Sequence, residues 1–180
     1  PPTQEEQVFA IDEIDEAVMQ LVNSEFSSHP GNCDLTKVPT TLGQHQQALQ
    51  WGMDNMEFFG PYEDAMSSKS RYLFHSKMAI SVNLHRLTPM EIVDSAINTN
   101  APINSIEGFF RQMIWREYVK HVHDVTDGFR TLEVYNDTLD EPNFLEQNNP
   151  LPAAYWGAKT GLNCLDEVVE SVMDDGWTHH

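Results

Sequence analysis

The chain has 180 residues with 40% hydrophobic content, enough to fill one substantial core and too little for a membrane protein. It holds no run of about 18 apolar residues, and its Pro-Pro start leads into acidic residues without the charged front or apolar centre of a signal peptide. A single domain of a reducing cytoplasm is expected, with no membrane partner.

The formal net charge of -18 argues against a nucleic-acid partner until the charge is followed along the chain. Residues 1–68 hold one Lys or Arg against twelve Asp or Glu, and residues 131–180 hold one against ten. Residues 69–130 hold eight basic side chains against six acidic ones. That island can either meet phosphate or pair with its own neighbours. Cys33 and Cys164 lie far apart and form no CxxC pair, so they make no disulfide framework and no complete metal site.

In chain order, Val8, Phe9, Ile11, Ile14, Val18, Leu21, Val22 and Phe26 alternate with acidic positions as an amphipathic helix over 5–26. A loop over 27–40 follows. Thr40 or Thr41 then caps a second helix reaching Phe59, where Gly60-Pro61 stops it, and Tyr62 falls in the next loop. The string YLFHSKMAISVNLHRL predicts a third helix over about 71–86, and Thr88-Pro89 with Glu91 opens a fourth through a capping box. Ala101-Pro102 breaks the pattern before Asn104 or Ser105 caps a fifth. Residues 125–160 lose periodicity and read as a long irregular crossing, which is unusual inside a compact domain unless it lines a site. A last helix runs from near Gly161 to Gly176. No period-two strand pattern is convincing, so the fold expected is all-α, a multi-helix array.

The fifth helix carries EGFFRQMIWREYV at 107–119, with Phe109, Gln112, Trp115 and Arg116 at offsets of three, six and seven. Read as one face, these combine aromatic surface, an amide and a guanidinium, a set that can stack on a flat ring, read its edge and hold a phosphate. Ile106, Phe110, Met113 and Ile114 form a core stripe on the same helix, and Trp115 can equally extend it.

Three strings together, FHSKMAISVNL (74–84), EGFFRQMIWREYV (107–119) and LPAAYWGAKTGLNCL (151–165) running on to DDGWTHH (174–180), resemble the flavin-binding helical domain of the photolyase and cryptochrome family. The nearest branch is that of bacterial iron-sulfur proteins related to (6-4) photolyases. The resemblance implies an FAD site to which Tyr62, His75, Ser76, Lys77, Met78, Phe109 and Arg116 contribute. Ser76 stands for the cradle of the flavin diphosphate, although the family's Arg-Leu-Ser continuation is here Lys77-Met78-Ala79. Trp115 resembles the tryptophan that stacks on an extruded lesion. Gln112 stands where (6-4) enzymes carry glutamine and dimer photolyases carry glutamate. His180, the second histidine of GWTHH, stands for the proton donor, a role imidazole suits near neutral pH. Cys164 resembles the first of four ligands of a 4Fe-4S cluster, and one thiolate cannot hold a cluster.

The resemblance ends at the last residue, so the chain is expected to be the first half of a larger FAD-binding catalytic domain. The parent is expected to carry an antenna chromophore in a preceding domain and to act as a monomer on UV-damaged DNA. The 180 residues by themselves are expected to be inactive. Two other readings stand beside this one: a cryptochrome-like blue-light receptor, and a helical interaction module that binds no cofactor.

Overall fold

The computed structural model describes residues 5–128 and 150–178. The regular structure among them is helical throughout, as expected. Seven α-helices follow in order: α1 Glu13–Glu25, α2 Leu42–Asp54, α3 Met56–Tyr62, α4 Ala79–Asn83, α5 Pro89–Ile97, α6 Ile103–Val125 and α7 Asn163–Asp175, with short 3-10 turns at Leu35–Lys37 and Ala153–Trp156.

The helix starts follow local hydrogen-bond chemistry. Thr88 with Glu91 closes the reciprocal capping box at α5 read from the sequence, and at α2, where Thr40 or Thr41 was expected to cap, Thr41 closes such a box with Gln44. At α1 the box is Asp12 with Asp15, so the helix begins at Glu13 and not at residue 5. The preceding apolar residues serve another purpose: Phe9 is buried, and its N–H donates to the Thr36 carbonyl across 2.7 Å. The single helix expected from Thr40 to Phe59 is divided at Asn55, whose amide turns back to the Trp51 carbonyl.

Gly60-Pro61 does not stop α3. Pro61 lies inside the helix and has no N–H for the Glu57 carbonyl four residues back, and the Ser105 hydroxyl of α6 supplies the missing donor at 3.1 Å. The same oxygen accepts from the Gly60 N–H at 3.0 Å. Ser105 therefore does not cap α6, which starts after Pro102 with no side-chain cap. It locks α6 to α3. A Cβ on Gly60 would lie 2.9 Å from the Ser105 Cα and backbone nitrogen, so the crossing requires glycine.

The largest departure from expectation lies at 71–86. Only Ala79–Asn83 is helical there. Tyr72, Leu73, Phe74 and His75 are four consecutive buried residues, and no single helix face can bury four in a row. The Ser70 hydroxyl accepts from the N–H groups of Tyr72 and Leu73, and Leu73 and Lys77 take left-handed backbone conformations, which winds the segment instead of extending a helix.

The core consists of Leu49 from α2, Met56 and Phe59 from α3, Met78 and Val82 at α4, Leu87, Ile92 and Ala96 around α5, and Phe109 from α6. His45 is buried beside it with Nδ1 2.9 Å from the Ser81 hydroxyl. Burial foremost, and then the charge of Arg86, hold its imidazole below the ordinary histidine pKa.

Candidate functional site

The winding of 72–78 creates the site. It delivers His75, Ser76, Lys77 and Met78 to one side of a cavity of about 360 Å³ whose opposite wall is α6. Phe109, Gln112 and Arg116 line that wall, Phe59, Val82 and Ile92 form the floor, and Trp177 and Thr178 close one side. Six of the side chains expected around a flavin thus meet in one place, His75, Ser76, Lys77, Met78, Phe109 and Arg116, and Gln112, expected at the lesion, joins them.

Three expected residues, Trp115, Tyr62 and Cys164, do not line it. Trp115 stands about 120° around the helix from Phe109, because six residues at about 100° each fall short of two full turns by that angle. It is 56% exposed and meets Tyr118 edge to face at 5.6 Å, above a groove formed with Ile103, Ile106, Phe110 and Ile114. The expectation of four side chains on one face is therefore corrected to three. Tyr62 is the last residue of α3, not a loop residue, and its half-buried ring packs on Phe74 at 5.1 Å. Cys164 is exposed at the start of α7, and no group of three or more His, Cys, Asp or Glu able to hold a metal ion occurs among the described residues. His180 lies outside the described residues.

The polar groups of the cavity are already ordered. Arg116 donates through Nη2 to Asn83 Oδ1 at 3.0 Å and through Nη1 to Glu117 at 2.8 Å. Gln112 donates from Nε2 to the buried Glu63 carboxylate at 2.9 Å, and Arg111 Nη2 lies 3.0 Å from both oxygens of that carboxylate. Lys77 Nζ sits 3.4 Å from the centre of the Tyr72 ring and 3.0 Å from Glu6. Four basic residues of the island, Arg71, Lys77, Arg111 and Arg116, thus have acidic partners within the chain. Arg71 faces Glu167, Glu170, Asp174 and Asp175 of α7.

Trp177 owes its place to the end of α7. Gly176 takes the left-handed conformation that terminates the helix, and the buried Ser171 hydroxyl donates to the Trp177 carbonyl at 2.7 Å. The indole then packs against Tyr72 at 5.0 Å. Tyr72 donates its hydroxyl to Asp175, and burial followed by that bond raises its phenol far above the ordinary value. Burial alone would raise Asp175, but hydrogen bonds from Tyr72 and Lys37 outweigh it and hold the carboxyl below its usual range. Glu63, Asn83, Tyr72 and Trp177 were not singled out in the sequence. Only Trp177 left a signal there, the Asp-Asp-Gly-Trp string that ends a helix.

The cavity joins aromatic and thioether walls to a rim of hydroxyl, ammonium, amide and guanidinium groups, the donor set that suits a flat ring system carrying an anionic tail. No helix among the described residues is long and apolar enough to cross a membrane. No protein-family model matches the chain. A (6-4) photolyase of Agrobacterium fabrum is 30% identical over 179 residues, an alignment that takes in 96% of this chain and 34% of that protein. The uncharacterized protein R853 of Acanthamoeba polyphaga mimivirus is 26% identical over 120 residues, covering 64% of this chain and 85% of the viral protein. The chain spans about one third of the length of the photolyase it matches. Similarity along nearly the whole chain, with regular structure that is helical throughout the described residues, supports a relationship between this protein and the photolyase family.

Proposed function

We propose that the cavity between the 75–83 segment and α6 is part of the FAD site of a light-driven DNA-repair flavoprotein that acts on (6-4) photoproducts in its intact form. The observation that carries this reading is the convergence of His75, Ser76, Lys77, Met78, Phe109, Gln112 and Arg116 on one cavity. These residues come from separate parts of a chain that aligns with a (6-4) photolyase over 96% of its length. When bound, FAD supplies the electron that blue light releases. The chain's own residues bind and orient. Phe109 and Met78 offer flat and polarisable surface, while Ser76, Lys77 and Arg116 offer donors to phosphate.

Gln112 and the exposed Trp115 are assigned to hold an extruded base of UV-damaged DNA, the amide by hydrogen bonding and the indole by stacking. His180 is assigned the proton-donor role, and it follows by two residues Thr178, which lines the cavity. Cys164, as a single exposed thiol, can offer one ligand to a 4Fe-4S cluster whose other ligands would come from elsewhere. By itself the 180-residue chain is expected to hold FAD weakly and to repair nothing, since the rest of a flavin's contacts and the exclusion of water need further protein.

Flavin titration and repair of a defined (6-4) oligonucleotide under blue light, done on the polypeptide encoded by the whole reading frame, test the assignment. A yellow complex with repair activity is expected, with Arg116→Ala lowering flavin content and Trp115→Ala lowering repair more than flavin content. A protein that binds no flavin overturns the reading and leaves a helical interaction module. A protein that keeps flavin but repairs nothing is a receptor.

A further inference from the structure

The Gln112 carboxamide is held at one end only. Its nitrogen donates to Glu63 at 2.9 Å, and among the described residues no hydrogen bond reaches its oxygen. The direction of the amide is settled by chemistry, since an ionised carboxylate accepts hydrogen bonds and cannot donate them. Glu63 is itself closely held. It is 8% exposed, Arg111 Nη2 lies 3.0 Å from each of its oxygens, and it sits against Gly108, where a Cβ would come within 2.5 Å of Oε2. The Arg111 guanidinium is shared with Glu107 at 3.9 Å.

We infer that Glu63 is a positioning residue, which turns the nitrogen of Gln112 inward, directs its oxygen to the cavity and so selects an amide at position 112. This deepens the reading of the cavity as a binding site and rests on it for the ligand's chemistry: the bound group must offer an N–H or O–H donor at Gln112. A carboxylate at 112 would meet the Glu63 carboxylate at hydrogen-bond distance, with the half-exposed Arg111 as the cation paired to Glu63, and like charges at that range repel strongly. Exchanging the two residues keeps one donor and one acceptor in contact, with the polarity reversed.

The test needs neither flavin nor DNA, so its failure and that of the functional reading are separable. In the 180-residue chain labelled with 15N-glutamine, the side-chain signals lost in Q112E belong to Gln112. They are expected to lie apart from those of exposed glutamines and to exchange about tenfold more slowly than in E63A, the factor that a charge-assisted hydrogen bond supplies. Q112E is expected to lower the Tm, and E63Q/Q112E to recover most of the loss, a rescue that a packing role alone would not give. Gln112 signals unchanged in E63A, or in E63Q should E63A not fold, overturn the inference. So does a double variant no more stable than the sum of its single effects predicts.

Discussion

At the scale of single residues, two glycines show how space decides the cost of a methyl group. At Gly60 a Cβ would meet the backbone of Ser105 at 2.9 Å, and backbone cannot rotate away. Gly60→Ala is expected to lower stability by about 1–3 kcal/mol, as overpacking of a tight contact does. Gly43, exposed in the first turn of α2, has nothing within 4 Å of the same methyl group. Gly43→Ala is expected to be neutral or to add up to about 1 kcal/mol through helix propensity. Urea denaturation of both variants measures the contrast, and equal effects at the two sites would contradict it. Neither difference was legible in the sequence. The string Phe-Gly-Pro-Tyr looked like a helix stop because the donor that satisfies the proline gap comes from Ser105, 44 residues after Pro61.

At the scale of elements, α7 is attached through charge and one buried phenol. Asp175 accepts from Tyr72 and Lys37, and Arg71 bridges to Glu167, Glu170 and Asp174. Asp175 has its folded pKa depressed, so its contribution is present above the ordinary carboxylate value and is lost as pH falls through the folded value. Tyr72 has its folded pKa raised, so its contribution is present below the ordinary phenol value and is lost only as pH rises through the higher folded one. Docking of α7 is therefore expected to hold between about pH 4 and pH 10. The part of the tryptophan emission that disappears in Trp177→Phe should stay constant across that range and change outside it. Arg71→Gln is expected to weaken docking by about 1 kcal/mol, since partly exposed pairs are individually weak but four carboxylates lose a shared cation. Elements with local start signals were legible from the sequence: the caps of α2 and α5 and the glycine stop of α7. The supposed helix at 71–86 was not, because Tyr72 to His75 are buried in succession and so show no one-faced stripe.

At the scale of the whole molecule, the net charge of -18 is spread over flanks that the basic middle only partly offsets. Raising salt to about 0.5 M is expected to raise the Tm, because relief of long-range repulsion outweighs the loss of surface pairs that contribute little each. A Tm that falls with salt would mean that the Arg71 and Lys77 pairs dominate. The candidate site was legible at this scale as a list of residues but not as a place. Phe109, Gln112 and Arg116 announced one helix face, yet the turn that brings His75 to Met78 against it depends on Ser70 and on left-handed Lys77. Trp115 belonged to the list and not to the place. The bond between Ser105 and the Pro61 gap has one further consequence. Sliding α6 along α3 by a single residue would strand the Glu57 carbonyl and drive Ser105 into whatever follows Gly60, so the two helices have only one permitted register. Shear between α3 and α6 is therefore expected to be small, which leaves the wound segment at 72–78 and the Trp177 end of α7 as the walls of the cavity free of that lock.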